Sequence, residues 1–443
     1  MQRAVLQISL LVFGMVYMRT ESTLVLVLPV WLITLLASSR SNKEDFDVVD
    51  MFWLLNTLSF VVAPLVTIYE PEGSQIFSTG AIVPLNFGHS LTYRQDQIFE
   101  LYFLIFMVTV INAVVLPKHA TPKSTRDFSI RYTTLSLIVI FIVAVLVEIA
   151  MRGGIANTLA ARREKVDAAG GIFLIFSRSF TLACSMFLAA KLTEERSWLR
   201  WVGYIVLFSL LLVLYNPFNS ARFVLLQALL PPLLITFTRI LSFRFFCISV
   251  IAGSMVVMPI LSATTRAGTD ADLASVEISP EFFLGYLDQH KVLLHLIDMV
   301  ERNGLEWGSS TLSVLLFFVP RAIWPDKPLV LGLEVGNELY GYGFVGTANL
   351  SGPIFGDFYY DFGIPGVLLG SVALAIIVRQ LLARSATISG VPVFGYFAIA
   401  ALPILFRGTV GAVIPSAFFT FLFLIGLIVV QEKLSRSARN LSL

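Results

Sequence analysis

The sequence predicts an all-α, polytopic integral membrane protein, and three observations carry that prediction. Of its 443 residues, 57% are hydrophobic and only 14% charged, and the mean hydropathy is +0.83. Soluble domains carry charge on about a quarter of their residues, so this composition suits a chain whose solvent is largely hydrocarbon. Apolar runs of near-membrane length recur along the whole chain. Between them, Lys and Arg crowd into some short segments, such as KHATPKSTRDFSIR at 118–131, and are scarce in others. That asymmetry orients a protein in a bilayer.

Taken in order, the runs predict about twelve transmembrane helices near 4–18, 23–38, 49–69, 98–116, 132–151, 172–190, 201–217, 223–238, 245–262, 363–378, 391–406 and 411–430. The first lacks a small-residue cleavage site and reads as a signal anchor. Leu312 to Val319 is a shorter apolar stretch, expected to be interfacial or re-entrant. With both termini cytoplasmic, every cytoplasmic segment has at least one Lys or Arg, as the positive-inside rule expects. No 20–50 residue period and no low-complexity linker divides the chain, so residues 1–443 read as a single membrane domain. A net charge of +2 gives no reason to expect a nucleic-acid partner. Cys184 and Cys247 each sit inside an apolar run, which suits packing and neither a disulfide framework nor a metal pair.

This orientation places 70–97, 152–171, 263–362 and the turn around Arg407 on the outer face. The longest of these, 263–362, precedes the tenth helix and carries thirteen Asp and Glu against five Lys and Arg. A structureless loop of that length is unusual. The spacing of Phe283, Leu287, Val292, Leu294, Leu296 and Val300 predicts an amphipathic helix resting on the membrane surface.

The scarce outer cations are the candidate functional residues. Arg152, Arg162, Arg163 and Lys165 lie in MRGGIANTLAARREKVDAAGG, Arg178 lies one or two turns inside the next helix, and Arg222 follows an NPFNSA turn. An arginine inside a membrane helix is expensive unless it faces a polar cavity or a partner, so Arg178 marks a site unless it snorkels to the interface. In PRAIWPDKP, prolines preclude a regular helix, and Arg321 and Lys327 offer a planar fork and a compact charge suited to a pyrophosphate. An interfacial Trp and Lys belt is the structural alternative. In GDFYYDFGIPG, Tyr359 and Tyr360 offer flat faces for sugar rings, and Asp357 and Asp361 share one helical face. Acids at a helix start commonly serve the helix dipole, so neither a metal nor a cofactor is expected. His290 and His295 fall in the outer amphipathic stretch, where either is a candidate general base. Gly341, Gly343 and Gly346 match GxGxxG without a preceding strand and read as a gate, and no GxxxxGK[ST] motif is present.

The GG-containing basic outer loop at 152–171, the PRAIWPDKP segment and the GDFYYDFGIPG segment together make the chain resemble the Wzy-type O-antigen polymerases, which polymerise oligosaccharide repeat units. Arg321 to Gly332 fits the Arg-x10-Gly pattern used to describe some members, whereas the 152–171 loop does not. The resemblance implies undecaprenyl-pyrophosphate-linked glycan as substrate, block transfer on the periplasmic side of the bacterial inner membrane, and a possible chain-length regulator, or co-polymerase, as partner. It implies that Arg321 and Lys327, with Arg152, Arg163, Arg178, Arg222, Arg266 and Arg407, hold pyrophosphate charge. Asp326, Asp361 and His295 are then the base candidates, and Tyr359 and Tyr360 hold sugar. The donor bond already stores the energy, so an ATP site is not needed. An O-antigen-ligase-like transferase shares the donor and the cations, and a flippase is the alternative from another class.

Overall fold

The computed structural model describes residues 2–18, 21–41, 46–67, 94–119, 127–159, 171–216, 220, 222–237, 242–253, 287, 289–319, 323–329, 331–340, 352–383, 387–407 and 410–440. These are 82% helical and 2% strand. The helices are α1 (Gln2–Val16), α2 (Glu21–Ser38), α3 (Val48–Thr57), α4 (Ala63–Thr67), α5 (Gln95–Val115), α6 (Thr134–Met151), α7 (Ile155–Leu159), α8 (Gly171–Glu194) and α9 (Leu199–Leu214). They continue with α10 (Arg222–Thr236), α11 (Phe243–Ala252), α12 (Gln289–Asn303), α13 (Ser309–Leu315), α14 (Leu331–Tyr340), α15 (Ile354–Ala383), α16 (Val393–Arg407) and α17 (Val410–Asn440). A π-helical turn, Leu58–Val62, joins α3 to α4 without a break.

Among the described residues, six helices are long and apolar enough to cross a membrane: Val48–Val66, Gln95–Val115, Thr134–Met151, Ile172–Glu194, Ile354–Ala383 and Ile414–Lys433. Six shorter apolar helices accompany them, including Gln2–Val16, Leu199–Leu214 and Val393–Phe406. Each of the twelve apolar runs therefore contains a helix among the described residues. Their outward surfaces are rich in Leu, Ile, Val and Phe, the surface that hydrocarbon requires.

Buried side chains gather in two clusters. One joins α3, α6, α8, α9, α10, α11, α16 and α17. The other joins α2, α4, α5, α12, α14 and the first part of α15. At one end of the bundle Arg3 pairs with Asp50 through both oxygens, at 2.5 and 2.6 Å, and its guanidinium lies 4.6 Å from the Phe243 ring centroid. A short parallel pair, β1 (Asp127–Phe128) with β2 (Thr387–Ile388), clasps two distant connections. Asp127 accepts from Thr387 Oγ1 and the Gly390 N–H, and Gln431 accepts from Arg131 N and donates to the Ser129 carbonyl.

Two parts of the long acidic segment differ from expectation. Helix α12 forms over the later part of the stretch the pattern marked, and Val292, Leu294 and Leu296 are buried. They are buried against protein, however: α12 packs on α5, α15 and the π-turn, with Gln289, His290 and His295 also inside. The apolar side of the helix is therefore covered by protein. Phe283 lies outside the described residues.

Helix α15 is not straight. Gly363 has φ 64° and ψ −152°, a conformation that needs glycine, and Pro365 follows it. Side chains added at Gly366 and Gly370 would strike the Phe358 carbonyl and the Phe358 ring respectively. A straight helix would separate 358 from 370 by about 18 Å. The 354–362 arm consequently folds back on the 364–383 arm as a helical hairpin, and only the second arm is long enough to span about 30 Å. The folded-back element is this arm of α15, a place the apolar pattern did not single out.

Candidate functional site

The feature that concentrates charge inside the apolar bundle lies where α6, α8, α9 and α10 converge. Helix α6 is almost wholly apolar, with Thr133 capping its start and Glu148 buried in its last turn. It ends at Arg152 because Gly153 and Gly154 take left-handed conformations, φ 88° and 97°, and return their N–H groups to the carbonyls of Ala150 and Ile149. That stop leaves Glu148 and Arg152 four residues apart on one face, paired at 2.5 Å. Arg152 also donates to the Leu214 carbonyl at 3.0 Å.

Tyr215 closes the arrangement from the end of α9. It is fully buried, and its hydroxyl contacts both Glu148 oxygens, at 2.9 and 3.0 Å. Its ring lies close to two cations. The Arg152 guanidinium carbon lies 5.1 Å and that of Arg178 5.5 Å from the ring centroid, within the range for attraction to an aromatic face. Arg178 reaches Gln227 of α10 through a long 3.5 Å contact, and its buried Nε has no hydrogen-bond partner. The group thus has two guanidiniums and one carboxylate, which pairs with Arg152. The cluster holds an excess positive charge next to a free donor, the arrangement that attracts an anion into a poorly hydrated place.

The neighbouring elements set this cluster at one end of the bundle. Ser179 donates to the Ser416 carbonyl in the first turns of α17, and Phe176 packs edge-on against Phe419 with ring centroids 4.9 Å apart. Phe317, just after α13, contacts the same Phe419 at 5.6 Å. Part of the 263–362 segment therefore packs on α17, the helix that also packs against the one carrying Arg178. Arg222 opens α10 and Arg407 closes α16, but the side chains of both lie outside the described residues. Arg163, Arg266 and Arg321 lie outside them altogether, as do Gly341, Gly343 and Gly346.

The remaining predicted site residues have other occupations. Lys327 donates to the carbonyls of Leu316, Phe317 and Val319, at 2.9, 3.2 and 3.1 Å, so its ammonium is engaged with the backbone of the turn that follows α13. Asp361 is fully buried and accepts the main-chain N–H groups of Ser310 and Thr311, at 3.1 and 2.7 Å, together with the Thr311 hydroxyl. It caps the start of α13 in place of acting as a free base. Tyr359 and Tyr360 are only 4% and 5% exposed, and Tyr359 donates to Glu100 at 2.7 Å, so neither presents a face to a sugar. Asp326 is exposed on a turn.

His295 is buried 3.4 Å from Glu338, and neither ring nitrogen makes a hydrogen bond. Burial raises the Glu338 carboxyl, but His295 and Arg302, the latter at 2.6 Å, bring it below the ordinary carboxylate value. Glu334 behaves oppositely: burial and the nearby charges of Glu306, Glu338 and Asp361 push it up, against a hydrogen bond with Tyr360. A mostly apolar cavity of about 100 Å³, lined by Phe52, Asn56, Phe60, Asn112, Ser371 and Phe406 among others, shares no residue with the arginine cluster. Among the described residues, no group of three or more His, Cys, Asp and Glu is arranged to hold a metal.

Glu148, Tyr215 and Gln227 are the members that sequence reasoning missed. The signal was present for one of them: Glu148 is an acid inside an eighteen-residue apolar run, four residues before an arginine. Comparison with known proteins adds no relative, since no family model, curated protein or solved structure matches the chain.

Proposed function

We propose that this chain is a polymerase of undecaprenyl-pyrophosphate-linked oligosaccharide repeat units, acting at the periplasmic face of a bacterial inner membrane. In this reading the chain crosses the membrane about twelve times, with both termini cytoplasmic. The observation that carries the proposal is the pair of guanidiniums, Arg152 and Arg178, both within 5.5 Å of the centroid of the buried Tyr215 ring. Glu148 and the Leu214 carbonyl hold Arg152 in place, whereas Arg178 keeps an unused Nε donor. In glycan transfer the bond from the sugar to the lipid pyrophosphate breaks and negative charge grows on the leaving phosphate. A preorganised guanidinium in a dry site stabilises that charge without reorganising water. The acceptor hydroxyl needs a base, for which His295 beside Glu338 and the exposed Asp326 are the predicted residues that are not committed to capping.

The test is to replace Arg178 with Ala in cells that depend on this protein, confirm unchanged membrane levels, and size the surface polysaccharide. Loss of one charge-stabilising donor typically slows such a step by about 10²–10³-fold, so long chains should collapse to single repeats. Undiminished chains would remove Arg178 from the mechanism. Glycan lacking even single repeats would indicate a ligase, and purified protein that moves lipid-linked sugar across vesicles without extending it would indicate a flippase.

A further inference from the structure

Helix α13 and the turn after it are built inside out for a segment that lies in water. Ser310 and Ser313 face the protein at 2% and 3% exposure, while Leu312 and Leu315 of the same helix are 47% and 66% exposed. Trp307, Phe318 and Ile323 extend the outward face, and Trp307 and Ile323 are each at least 75% exposed. An aqueous helix turns its hydroxyls outward and its leucines inward. Five large apolar side chains on one short element also exceed the scattered exposure that soluble surfaces tolerate.

What covers this face follows from its continuity with α17. The 414–433 part of α17 is apolar enough to span a membrane, and Phe418, Leu422 and Ile425 form its exposed stripe. Phe317 joins the two surfaces, contacting Phe318 at 5.8 Å and Phe419 at 5.6 Å, while Phe419 contacts Phe418 at 5.6 Å. The medium that wets the α17 stripe therefore meets α13 without an intervening polar surface. We propose that Trp307, Leu312, Leu315, Phe318 and Ile323 form a foot seated in the lipid leaflet at the start of α17, at the boundary between headgroups and acyl chains. A tryptophan at the edge of such a patch suits that depth. The foot has an internal brace: Asp361 accepts the Ser310 and Thr311 N–H groups at the start of α13, and Lys327 donates to the Leu316, Phe317 and Val319 carbonyls in the turn after it, so these backbone groups have partners before the segment meets lipid. This inference rests on the membrane character of α17 and not on the polymerase reading.

The experiment uses the full chain in phosphatidylcholine vesicles, carrying Leu315→Cys or Ile323→Cys labelled with an environment-sensitive fluorophore. The native cysteines, Cys184 and Cys247, are buried, and unlabelled-site background is read from the unsubstituted protein. Asn303→Cys, at an exposed end of α12, serves as the aqueous reference. The expected result is blue-shifted emission at 315 and 323, quenched by nitroxide on the lipid chains and not by iodide, with the reverse at 303. Iodide quenching at 315 and 323 equal to that at 303 would overturn the proposal. So would emission insensitive to both quenchers together with cross-linking between copies, which would make the face a protein interface.

Discussion

Replacing Glu148 with Leu tests whether the arginine cluster is a coupled unit. Glu148 is fully buried, pairs with Arg152 at 2.5 Å and accepts from Tyr215 at 2.9 Å. Its removal leaves two guanidiniums beside Tyr215 without the carboxylate that pairs with Arg152, and leaves the tyrosine hydroxyl without that acceptor. Breaking a buried pair from one side costs about 3–5 kcal/mol. Arg152 retains the Leu214 carbonyl and the Tyr215 ring, so the lower half of that range applies, at roughly 3–4 kcal/mol. Arg152→Met should cost a similar ~3 kcal/mol by leaving the carboxylate alone. The double variant should cost much less than the sum, with a coupling of about 2–3 kcal/mol. Equilibrium unfolding in mixed SDS micelles reads all four corners of the cycle. Single costs that add to within about 0.5 kcal/mol would show that the two residues are independent and would refute the account of the cluster.

Two further outcomes follow from the geometry. Lys327→Met should lower stability by roughly 2 kcal/mol, because three carbonyls at the end of α13 lose their donor. Unchanged thermal stability together with lost glycan extension would instead restore the anion role to Lys327. His290 is fully buried in α12, and burial, with Lys291 beside it, lowers its imidazole to about 3 despite a hydrogen bond with the Ser59 main chain in the π-turn. A base held neutral in the folded state leaves the unfolded state binding more protons, so stability is complete above pH 6.5 and falls between there and about 3. The loss at pH 5 is ~2 kcal/mol, and His290→Gln should remove that slope from melting temperatures measured in detergent across this range.

Hydrophobic runs made the helices legible, because hydrocarbon demands internally satisfied backbone and leaves few alternatives. Val292, Leu294 and Leu296 were read as the apolar side of an amphipathic helix on the membrane surface, and a pattern of apolar positions does not say whether lipid or protein covers them. Neighbours settle that, and α5 and α15 lie far away in sequence. Lys327 was misread for a similar reason. The carbonyls it satisfies lie 8 to 11 residues earlier, and their need for a donor appears only once α13 has ended. Tyr359 and Asp361 looked like surface chemistry because a straight helix would expose part of its first turns, whereas the hairpin at Gly363 folds them inward. Within the arginine cluster, Arg152 and Arg178 were legible as charges out of place. Tyr215 was not, since a tyrosine at the end of an apolar run is ordinary in a membrane protein.

The clasp formed by β1 and β2 carries a consequence for the timing of biogenesis. Residues 127–131 bond to partners 259 to 302 positions later in the chain, at Thr387, Ser389, Gly390 and Gln431. At ordinary rates of translation those partners emerge tens of seconds after the segment they secure. During that interval the connection between α5 and α6 waits without its native ties. Closure of the clasp therefore marks the moment at which the first and last parts of the chain become one cooperative body, and a ribosome stalled before Thr387 would yield a chain whose 127–131 connection is still open to proteolysis.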